Sequence, residues 1–420
     1  MQTAVEWMQS LPRLSGKPGL ERMQTLLEKL GDPQKRCKYI HVAGTNGKGT
    51  VSALTANVLK TAGFKTGLTL SPYVLDFRER FQINGEMISH EELEQIAEKV
   101  RLAVEQMEET PAQFEAVTAA ALLWFSEQNC DLAVLETGLG GRYDATNAVE
   151  NTLVAAITRI DLDHTELLGE TVEEIAGEKA GIIKPGSTVV TFPVQDLSAL
   201  QVIAAECIKH KVDLIQPQAE DLLIVTEDPL HNRFDYGGYQ IDLPFLGAHQ
   251  AANASMVVEI ALALWRQGYE ISDEAIIEGM QTASLPARIE VLRTEPLLIL
   301  DGCHNPAGAA ALAATLESCA LQEKPVAVMG VMGDKDVQPM LKTLMGQFSR
   351  LYTVAPAGPR AMAADRLAHL AERQNAGIPV TPCESLEEAL EAAAADRRGA
   401  VVCGSLYLAA EARPLLIAQI

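Results

Sequence analysis

The sequence predicts an α/β protein in which parallel strands are covered by helices on both faces. Short apolar runs of strand length alternate with amphipathic segments of helical length along most of the chain, and such alternation gives parallel-rich sheets. The 420 residues, 48% of them hydrophobic, can form a large core and favour two domains. Ser284-Leu-Pro-Ala-Arg288 is interpreted as a linker, so we expect domains at 1–284 and 285–420.

The first domain begins with a helical lead-in, after which strands and helices alternate. Ser89 and Thr171 are each followed three residues later by Glu, the capping box that starts a helix. Asn84-Gly85 predicts the turn of a hairpin over 82–88. We expect strands at 65–70, 132–136, 152–158 and 189–192, helices at 20–30, 51–62, 89–107, 114–128, 171–179, 197–210 and 250–266, and short strands and turns over 213–246.

The same alternation restarts after the linker. Four apolar runs separated by helical patterns predict a second parallel sheet. We expect its strands at 297–301, 326–330, 350–354 and 400–403, and its helices at 307–319, 337–348, 363–374, 386–396 and 406–418.

The loop Gly44-Thr-Asn-Gly-Lys48-Gly-Thr50 joins an apolar run to the helical pattern that starts at Val51. Its glycines allow backbone N–H groups to turn toward an anion, and the following helix presents its N-terminus to the same point. Lys48 supplies a positive charge for phosphate oxygens, and Thr50 supplies a hydroxyl for Mg²⁺. The segment therefore predicts a nucleotide triphosphate loop.

This loop departs from the general pattern G-x-x-x-x-G-K-[ST] at two positions. Val42 stands where the first glycine is expected, and Gly49 stands where Ser or Thr follows the lysine. A glycine-rich turn without a ligand is the structural alternative. The strand, the lysine and the helix together favour a variant nucleotide loop.

Composition argues against several classes of protein. The formal net charge of −22 and the lack of a basic patch argue against nucleic acid as a partner. No apolar run is long enough for a membrane span, and the N-terminus lacks the pattern of a secretory signal. Seven scattered cysteines without a C-x-x-C pair argue against disulfides and a cysteine zinc site. We expect a cytoplasmic monomer, in which carboxylate-held Mg²⁺ offsets the charge of a nucleotide.

Polar clusters follow five predicted strands, at the ends where α/β sheets bind ligands. Besides the loop, they are Ser71, Glu136, Asp161-x-Asp163-His164 and Asp301-Gly-Cys-His304-Asn305, and we expect them to converge on one cleft if the strands are parallel. Ser71 and Glu136 are hard oxygen donors that suit Mg²⁺. His164 could ligate a second metal or contact phosphate.

Each of these residues also has a purely structural interpretation. Ser71 precedes a proline and could be a turn residue, and Glu136 could accept loop N–H groups. His164 could make a structural hydrogen bond, while Asp301 or Asn305 could cap a helix. Other charged residues could be surface groups: Lys179 on its helix and Arg288 in the linker.

Taken together, the motifs of this chain resemble the folylpolyglutamate synthase/dihydrofolate synthase family, within the Mur-type ATP-dependent amide ligases. The matching segments follow one another along nearly the whole chain: Gly44–Thr50, Ser71-Pro72, Glu136–Asn147, Leu162–His164, Glu178–Gly181, Leu285–Arg288, Asp301–Pro306, Gly333–Asp336 and Gly404–Tyr407. The lysine-glycine-threonine order of the loop is what this family looks like.

The resemblance implies a Rossmann-like P-loop ATPase domain and a smaller C-terminal Rossmann-like α/β domain, with ATP between them. It implies that Ser71 and Glu136 hold one Mg²⁺ with Thr50, that His164 holds a second, and that Lys179 is carboxylated on its amine. It leaves open whether a monovalent cation is needed. The residues that it assigns to the nucleotide are Gly44, Thr45, Asn46, Gly47, Lys48, Gly49, Thr50, Asn253, Arg288 and Asp301.

The resemblance further implies that L-glutamate is added to a reduced folate or dihydropteroate through an acyl phosphate. Lys48, Lys179, Asp301 and His304 are the residues that it implies for catalysis. Phe77 would stack on the pterin side and Arg80 would pair with a carboxylate, while His304, Ser405 and Tyr407 would lie near glutamate.

Two other functions compete with this one. A Mur ligase of cell-wall synthesis is disfavoured by Asn46, Gly49 and the segment 301–306. A nucleotide switch without ligase chemistry would have no need of Asp301 and His304 in a second domain. Whether the chain carries both the dihydrofolate synthase and the folylpolyglutamate synthase activity stays open at this point.

Overall fold

The computed structural model describes residues 2–13, 19–225, 230–333, 335–374 and 377–418. Asp334, in the 333–336 motif, lies outside these residues. The chain forms two compact units. The first comprises Met1–Leu222, Tyr236–Tyr239 and Ala252–Ala283, and the second comprises Leu223–Asp235, Gln240–Ala251 and Ser284–Ile420.

The first unit contains an eight-stranded sheet with the order β4-β3-β2-β5-β1-β6-β7-β8. The strands from β2 to β8 in this order are parallel, while β3 and β4 form an antiparallel hairpin at one edge. This hairpin turns at Asn84-Gly85, where both residues have positive φ, as predicted. The strands are β1 (Lys38–Ala43), β2 (Thr66–Thr69), β3 (Gln82–Ile83), β4 (Glu86–Met87), β5 (Leu132–Glu136), β6 (Thr152–Ile157), β7 (Thr188–Thr191) and β8 (Leu214–Ile215).

The order of this sheet brings four of the predicted polar clusters together. Strands β2, β5, β1 and β6 are adjacent and parallel, so the residues that follow them emerge along one edge. Val42 pairs with Glu136, and Ala43 pairs with Ile157. The fifth cluster, at Asp301, follows a strand of a different sheet.

Helices flank the first sheet and form two apolar clusters with it. One cluster includes side chains of α1, α2, α4 and α5, and the other includes those of α7 and α8. The helices up to residue 283 are α1 (Ala4–Ser10), α2 (Glu21–Lys29), α3 (Lys48–Thr61), α4 (His90–Val104), α5 (Gln113–Glu127), α6 (Thr165–Leu168), α7 (Val172–Ala180), α8 (Leu197–His210), α9 (Ala248–Arg266) and α10 (Asp273–Gln281).

The region predicted as short strands and turns contains a separate three-stranded sheet of order β11-β10-β9. Its strands are β9 (Leu222–Ile224), β10 (Asn232–Tyr236) and β11 (Tyr239–Leu243). Gly237 and Gly238 both have positive φ and make the tight turn between β10 and β11.

The second unit contains a six-stranded sheet of order β12-β13-β17-β14-β15-β16, parallel except for β12. Its strands are β12 (Glu290–Thr294), β13 (Leu297–Leu300), β14 (Val326–Met329), β15 (Arg350–Thr353), β16 (Val380–Pro382) and β17 (Ala400–Cys403). Its helices are α11 (Pro306–Ser318), α12 (Val337–Leu344), α13 (Ala364–Glu372), α14 (Leu386–Ala394) and α15 (Leu406–Ile417). Side chains of α11, α12 and α13 form one apolar cluster with the central strands.

The strands that the sequence prediction missed lie at the edges of this sheet. β12 and β16 are only partly buried, so they lack the continuous apolar run by which β13, β14 and β17 were predicted. Within the described residues, no helix is both long and apolar enough to cross a membrane.

The crossing of α3 and α10 depends on a glycine. A Cβ atom at Gly279 would lie 2.5 Å from the Cα of Val58, a backbone contact that no side-chain motion can relieve. The Gly279 carbonyl also accepts a 2.7 Å hydrogen bond from Asn57 Nδ2. The C-terminal half of α3 is thus held at a fixed distance from α10.

We expect Gly279→Ala to lower the free energy of unfolding by about 1–3 kcal/mol, because overpacking outweighs the gain in helix propensity. Gly177→Ala in α7 is the matched control, since a Cβ there would meet nothing within 4 Å, and it should stabilise the protein by up to about 1 kcal/mol. Urea midpoints followed by circular dichroism measure both changes, and a stabilised Gly279→Ala variant would contradict the close crossing.

Candidate active site

The loop between β1 and α3 adopts a conformation that requires two of its glycines. Gly44 has φ 150° and Gly47 has φ 91°. A Cβ at Gly44 would lie 1.8 Å from Thr158 Oγ1, and one at Gly47 would lie 2.5 Å from Asn253 Oδ1. Asn253 in α9 therefore contacts the loop at Gly47, where a side chain would displace it, and a side chain at Gly44 would displace Thr158 instead.

The loop N–H groups point in two directions. Those of Thr45 and Asn46 donate to the carbonyl of Arg159, at 2.8 and 3.3 Å. The first intrahelical bond of α3 is donated by Val51 to Gly47, so the N–H groups of residues 48–50 form the open start of the helix. This first turn is where the loop can receive an anion.

Two lysines donate to one carbonyl oxygen in this loop. Lys48 Nζ lies 3.1 Å from Gly44 O, and Lys179 Nζ lies 2.8 Å from the same atom. Lys48 also donates to Thr45 O at 3.3 Å. A motif residue and a helical lysine 131 positions further along the chain thus meet at Gly44.

Lys179 is buried, with 4% of its surface exposed. Burial lowers its pKa to about 7, and the nearby charge of Lys48 acts in the same direction. The carboxylates of Asp163 and Asp144 oppose this shift. The surface-charge interpretation of Lys179 is therefore wrong, because the amine is enclosed and largely able to lose its proton near neutral pH.

The glycine-rich segment after β5 places Lys179. A Cβ at Gly141 would lie 2.7 Å from Glu178 O, and one at Gly181 would lie 2.5 Å from the Cβ of Arg142. The backbone N–H of Arg142 donates to Glu178 O at 2.7 Å. Close backbone packing of this segment against the end of α7 therefore fixes the position of Lys179.

A buried chain of polar groups supports the same segment. His41 Nε2 lies 2.7 Å from Thr146 Oγ1, which donates to Asp144 Oδ1 at 2.5 Å. Asp144 also accepts the N–H of Leu139 at 2.9 Å. Burial raises the pKa of Asp144 and lowers that of His41 to about 3, so His41 is neutral at physiological pH.

Ser71 and Glu136 lie side by side at the edge of the sheet. The Ser71 N–H donates to Glu136 Oε2 at 2.8 Å, and Arg80 Nη1 donates to Ser71 Oγ at 3.3 Å. The Arg80 guanidinium also lies over the rings of Tyr73 and Phe77, 5.4 and 5.9 Å from their centroids. Glu136 thus accepts a backbone N–H, as its structural interpretation expected, and a carboxylate can accept from more than one partner.

His164 begins the short helix α6 in a left-handed conformation with φ 50°. Its Nε2 lies 3.9 Å from Asp163 Oδ1, and 43% of its side chain is exposed. Among the described residues, no three His, Cys, Asp or Glu side chains gather closely enough to form a metal cage. The hydroxyl and carboxylate donors of Ser71 and Glu136 do fit Mg²⁺, which takes few protein ligands when phosphates and waters complete its shell.

In the second unit, Asp301 organises the start of the segment after β13. Its carboxylate accepts the N–H of Ile289 and the N–H of Cys303, both at 2.9 Å. Burial raises its pKa, and these bonds and the charge of Arg288 oppose the rise. Asp301 therefore does not cap α11. The N-cap is Asn305, which accepts the N–H of Gly308 at 2.8 Å.

His304, Ser405 and Tyr407 also follow strands of the second sheet. His304 Nδ1 lies 3.3 Å from Gly302 O. Ser405 is buried and caps α15 by accepting the Leu408 N–H at 3.1 Å. Tyr407 is 42% exposed, and its hydroxyl accepts from Arg360 Nη2 at 3.4 Å.

The structure brings some of the predicted residues into contact with one another. In the first unit it brings together the loop, Lys179 and Asn253, and it pairs Ser71 with Glu136. Sequence reasoning left Asp144 and Asp163 out of the predicted site residues. Their signals were a buried acid within the glycine-rich motif and an acid directly before His164.

Two family models match this chain. The Mur ligase middle domain matches residues 42–261, and the Mur ligase glutamate ligase domain matches residues 287–406. The first match contains the nucleotide loop and Lys179, and the second contains Asp301 and His304.

Relatives with known names cover the whole chain. The dihydrofolate synthase/folylpolyglutamate synthase of Bacillus subtilis is 36% identical over 99% of this chain and 99% of its own. The folylpolyglutamate synthase of Lacticaseibacillus casei is 33% identical over 98% of each chain. Both are similar across the two units rather than in the loop alone.

Solved structures give the same result. The Mycobacterium tuberculosis folylpolyglutamate synthase complexed with ADP superposes with a TM-score of 0.87 at 31% identity, covering 98% of this chain and 97% of that one. Escherichia coli FolC in complex with DHPP and ADP has a TM-score of 0.87 at 29% identity, covering 99% and 98%.

We expect the depressed pKa of Lys179 to make stability depend on pH. Between pH 7 and the ordinary lysine pKa of 10.5, the unfolded chain holds the proton that the folded chain has lost, so stability rises with pH. Relative to Lys179→Met, the wild-type free energy of unfolding should rise by about 1.5 kcal/mol from pH 7.0 to 8.5.

Urea denaturation in carbonate-free buffer measures this gradient, since a neutral amine would otherwise react with CO₂. The exposed Lys29→Met variant is the control and should keep the wild-type gradient. Equal gradients in wild type and Lys179→Met would show that Lys179 stays protonated in the folded protein.

Proposed function

The chain belongs to the folylpolyglutamate synthase/dihydrofolate synthase family, and on this premise we propose how its residues carry out the reaction. The enzyme is an ATP-dependent ligase that joins the amine of L-glutamate to a carboxylate of a folate. The observation that carries the proposal is the meeting of Lys48 and Lys179 at Gly44 O, beside the open N-terminus of α3.

We propose that ATP binds with its phosphates at the first turn of α3. The N–H groups of residues 48–50 and the positive end of the helix dipole favour an anion there. Lys48 would exchange the carbonyls of Gly44 and Thr45 for phosphate oxygens, a gain because a charge-assisted bond to phosphate is stronger than one to a carbonyl. Asn253, seated on Gly47, would keep the loop in place.

We propose Ser71, Glu136 and Thr50 as ligands of one Mg²⁺ and His164 as a ligand of a second. Bound Mg²⁺ neutralises charge on the transferring phosphoryl oxygens. Thr50 is buried at the start of α3, and Ser71 is held beside Glu136 by a backbone bond. These side chains therefore bind and orient a phosphate-bound cation rather than a free one.

We propose that the Lys179 amine takes up CO₂. The neutral amine attacks the carbon, an N–C bond forms, and the amine loses a proton to solvent, which leaves an anionic carbamate. Two features support this step: the pKa near 7, and the enclosure of the amine beside Lys48. The carbamate would replace repulsion between two ammonium groups by attraction to Lys48.

The ligation itself follows from the chemistry of carboxylates. A folate carboxylate oxygen attacks the γ-phosphorus of ATP, the bond to the bridging oxygen of ADP breaks, and an acyl phosphate forms. The glutamate amine then attacks the acyl carbon, loses a proton, and expels phosphate to leave an amide. Lys48 can follow the transferring phosphoryl group, because its flexible chain ends in a point charge.

We propose that the two units contribute different substrate contacts. In the first unit, Arg80 is held over Phe77 and Tyr73 and donates to Ser71, which suits a cation aimed at a substrate carboxylate near the metal ligands. In the second unit, we propose His304, Ser405 and Tyr407 for glutamate, and Arg288 and Asp301 for the nucleotide. Ser405 would bind through its backbone, or its hydroxyl would exchange the hydrogen bond from the Leu408 N–H for one with glutamate.

We propose that the chain carries both the dihydrofolate synthase and the folylpolyglutamate synthase activity, as the name of the Bacillus subtilis relative states for that protein. Full-length similarity to such synthases argues against the cell-wall Mur alternative. We also propose that the protein is located in the cytoplasm, since all seven cysteines are free thiols, and that it is a monomer.

Phosphate release tests the reaction. It should require glutamate together with an acceptor, and dihydropteroate and a reduced folate should each be assayed separately by product analysis. Two active acceptors support the bifunctional proposal, and one active acceptor contradicts it. If glutamate does not stimulate ATP hydrolysis with either acceptor, the proposed ligation is refuted.

Lys48→Ala should abolish turnover, because the phosphates lose their only proposed lysine contact. Lys60→Ala near the other end of α3 is exposed and is the matched control, which should keep wild-type kcat. Steady-state assays compare the two variants at saturating ATP. Near-normal activity of Lys48→Ala would overturn the assignment of the loop.

Glu136→Gln should raise the Mg²⁺ concentration needed for half-maximal activity and lower kcat about 100-fold or more, since one metal ligand loses its charge. The Gln carbonyl can still accept the Ser71 N–H, so folding should be preserved. Exposed Glu127→Gln controls for the change in net charge. An unchanged Mg²⁺ requirement would remove Glu136 from the metal site.

A further inference from the structure

Thr45 links two parts of the site that are far apart in sequence. Its hydroxyl donates to Asp161 O at 3.0 Å and accepts the Asp161 N–H at 3.1 Å. Both hydrogen-bonding directions of the hydroxyl are thus directed at the backbone of one residue. A ligand that hydrogen-bonded to the Thr45 hydroxyl would have to break its hydrogen bonds to Asp161.

The backbone strengthens the same link. The Thr45 N–H donates to Arg159 O at 2.8 Å, and Asn46 forms an isolated antiparallel bridge with Arg159. On the far side, Gln195 holds the segment by accepting the Ile160 N–H at 3.0 Å. The segment 158–161 is therefore hydrogen-bonded to the nucleotide loop on one side and to Gln195 on the other.

The segment 158–161 lies just before His164 in the sequence. Only two residues separate Asp161 from it, and Asp163 lies between them. The peptide of His164 is itself fixed, since its N–H donates to Asp163 Oδ1 at 2.9 Å. A shift of the Asp161 backbone is therefore transmitted to the His164 imidazole, because only two residues separate them and the His164 peptide is held by Asp163.

We propose that Thr45 is a positioning residue whose hydroxyl couples the nucleotide loop to the Asp163-His164 segment. Phosphate bound at the loop then favours the placement of His164 that binds Mg²⁺, and bound Mg²⁺ favours the loop conformation that binds phosphate. By linkage the two effects are equal in size. This inference rests on the proposed nucleotide and metal site, and it assigns Thr45 a role other than contact with the nucleotide through its side chain.

Calorimetric binding of ADP, with Mg²⁺ or with EDTA, tests this coupling without turnover. In the wild type, Mg²⁺ should increase ADP affinity. Thr45→Val keeps the shape but removes the hydroxyl, and it should reduce this Mg²⁺-dependent increase by about fivefold or more, beyond any change in metal-free affinity. Thr45→Ser retains the hydroxyl and should keep the wild-type increase.

Three results would overturn the proposal. Thr45→Val could keep the full Mg²⁺ effect, or it could lose metal-free ADP affinity to the same extent, which would mark a direct or merely structural role. Failure of wild-type ADP affinity to respond to Mg²⁺ would leave no coupling for Thr45 to carry. Glutamate-dependent ligation is measured separately, so loss of coupling and failure of the proposed function are distinguishable.

A double-mutant cycle identifies the path of the coupling. Thr45→Val should have no further effect on the Mg²⁺ response in a His164→Ala background, because the residue through which it acts is absent. An equal reduction in both backgrounds would show that the hydroxyl does not act through His164, and would refute the proposal.

Discussion

The carbonyl oxygen of Gly44 is the atom on which the site depends. It accepts from Lys48 and from Lys179, and two ammonium groups cannot share one small acceptor without strong repulsion. Burial resolves the conflict in one direction, because it lowers the pKa of Lys179, whereas Lys48 is only half-buried. The two lysines thereby acquire different chemistry: one is a half-buried cation that we propose for phosphate, and the other is an enclosed amine.

Other contacts of the first unit hold the two lysines and the loop in place. The order of the sheet brings the ends of β1, β2, β5 and β6 to one edge. Close backbone packing at Gly141 and Gly181 fixes the end of α7. The Thr45 hydroxyl ties the loop to the segment before His164. Each of these contacts fixes a polar group close to the loop that we propose for phosphate.

Local sequence patterns predicted the buried strands, most helices and the nucleotide loop. Buried strands show as continuous apolar runs and helix starts as capping residues, so both can be recognised within a few residues. These patterns missed α10 although Ser272 caps it, and they missed β12 and β16 because edge strands carry no apolar run. The environment of Lys179 was invisible, since a helical lysine is usually solvated and its burial arises from residues far away in sequence. The bonds between Thr45 and Asp161 span 116 positions and leave no local mark either.

Carbon-13 NMR of the protein equilibrated with ¹³C-bicarbonate tests the central claim, that the lysine beside Gly44 is an amine able to take up CO₂. We expect a carbamate resonance in the wild type that persists in Lys29→Met and disappears in Lys179→Met. Absence of the resonance from the wild type, or its persistence in Lys179→Met, would show that Lys179 does not take up CO₂.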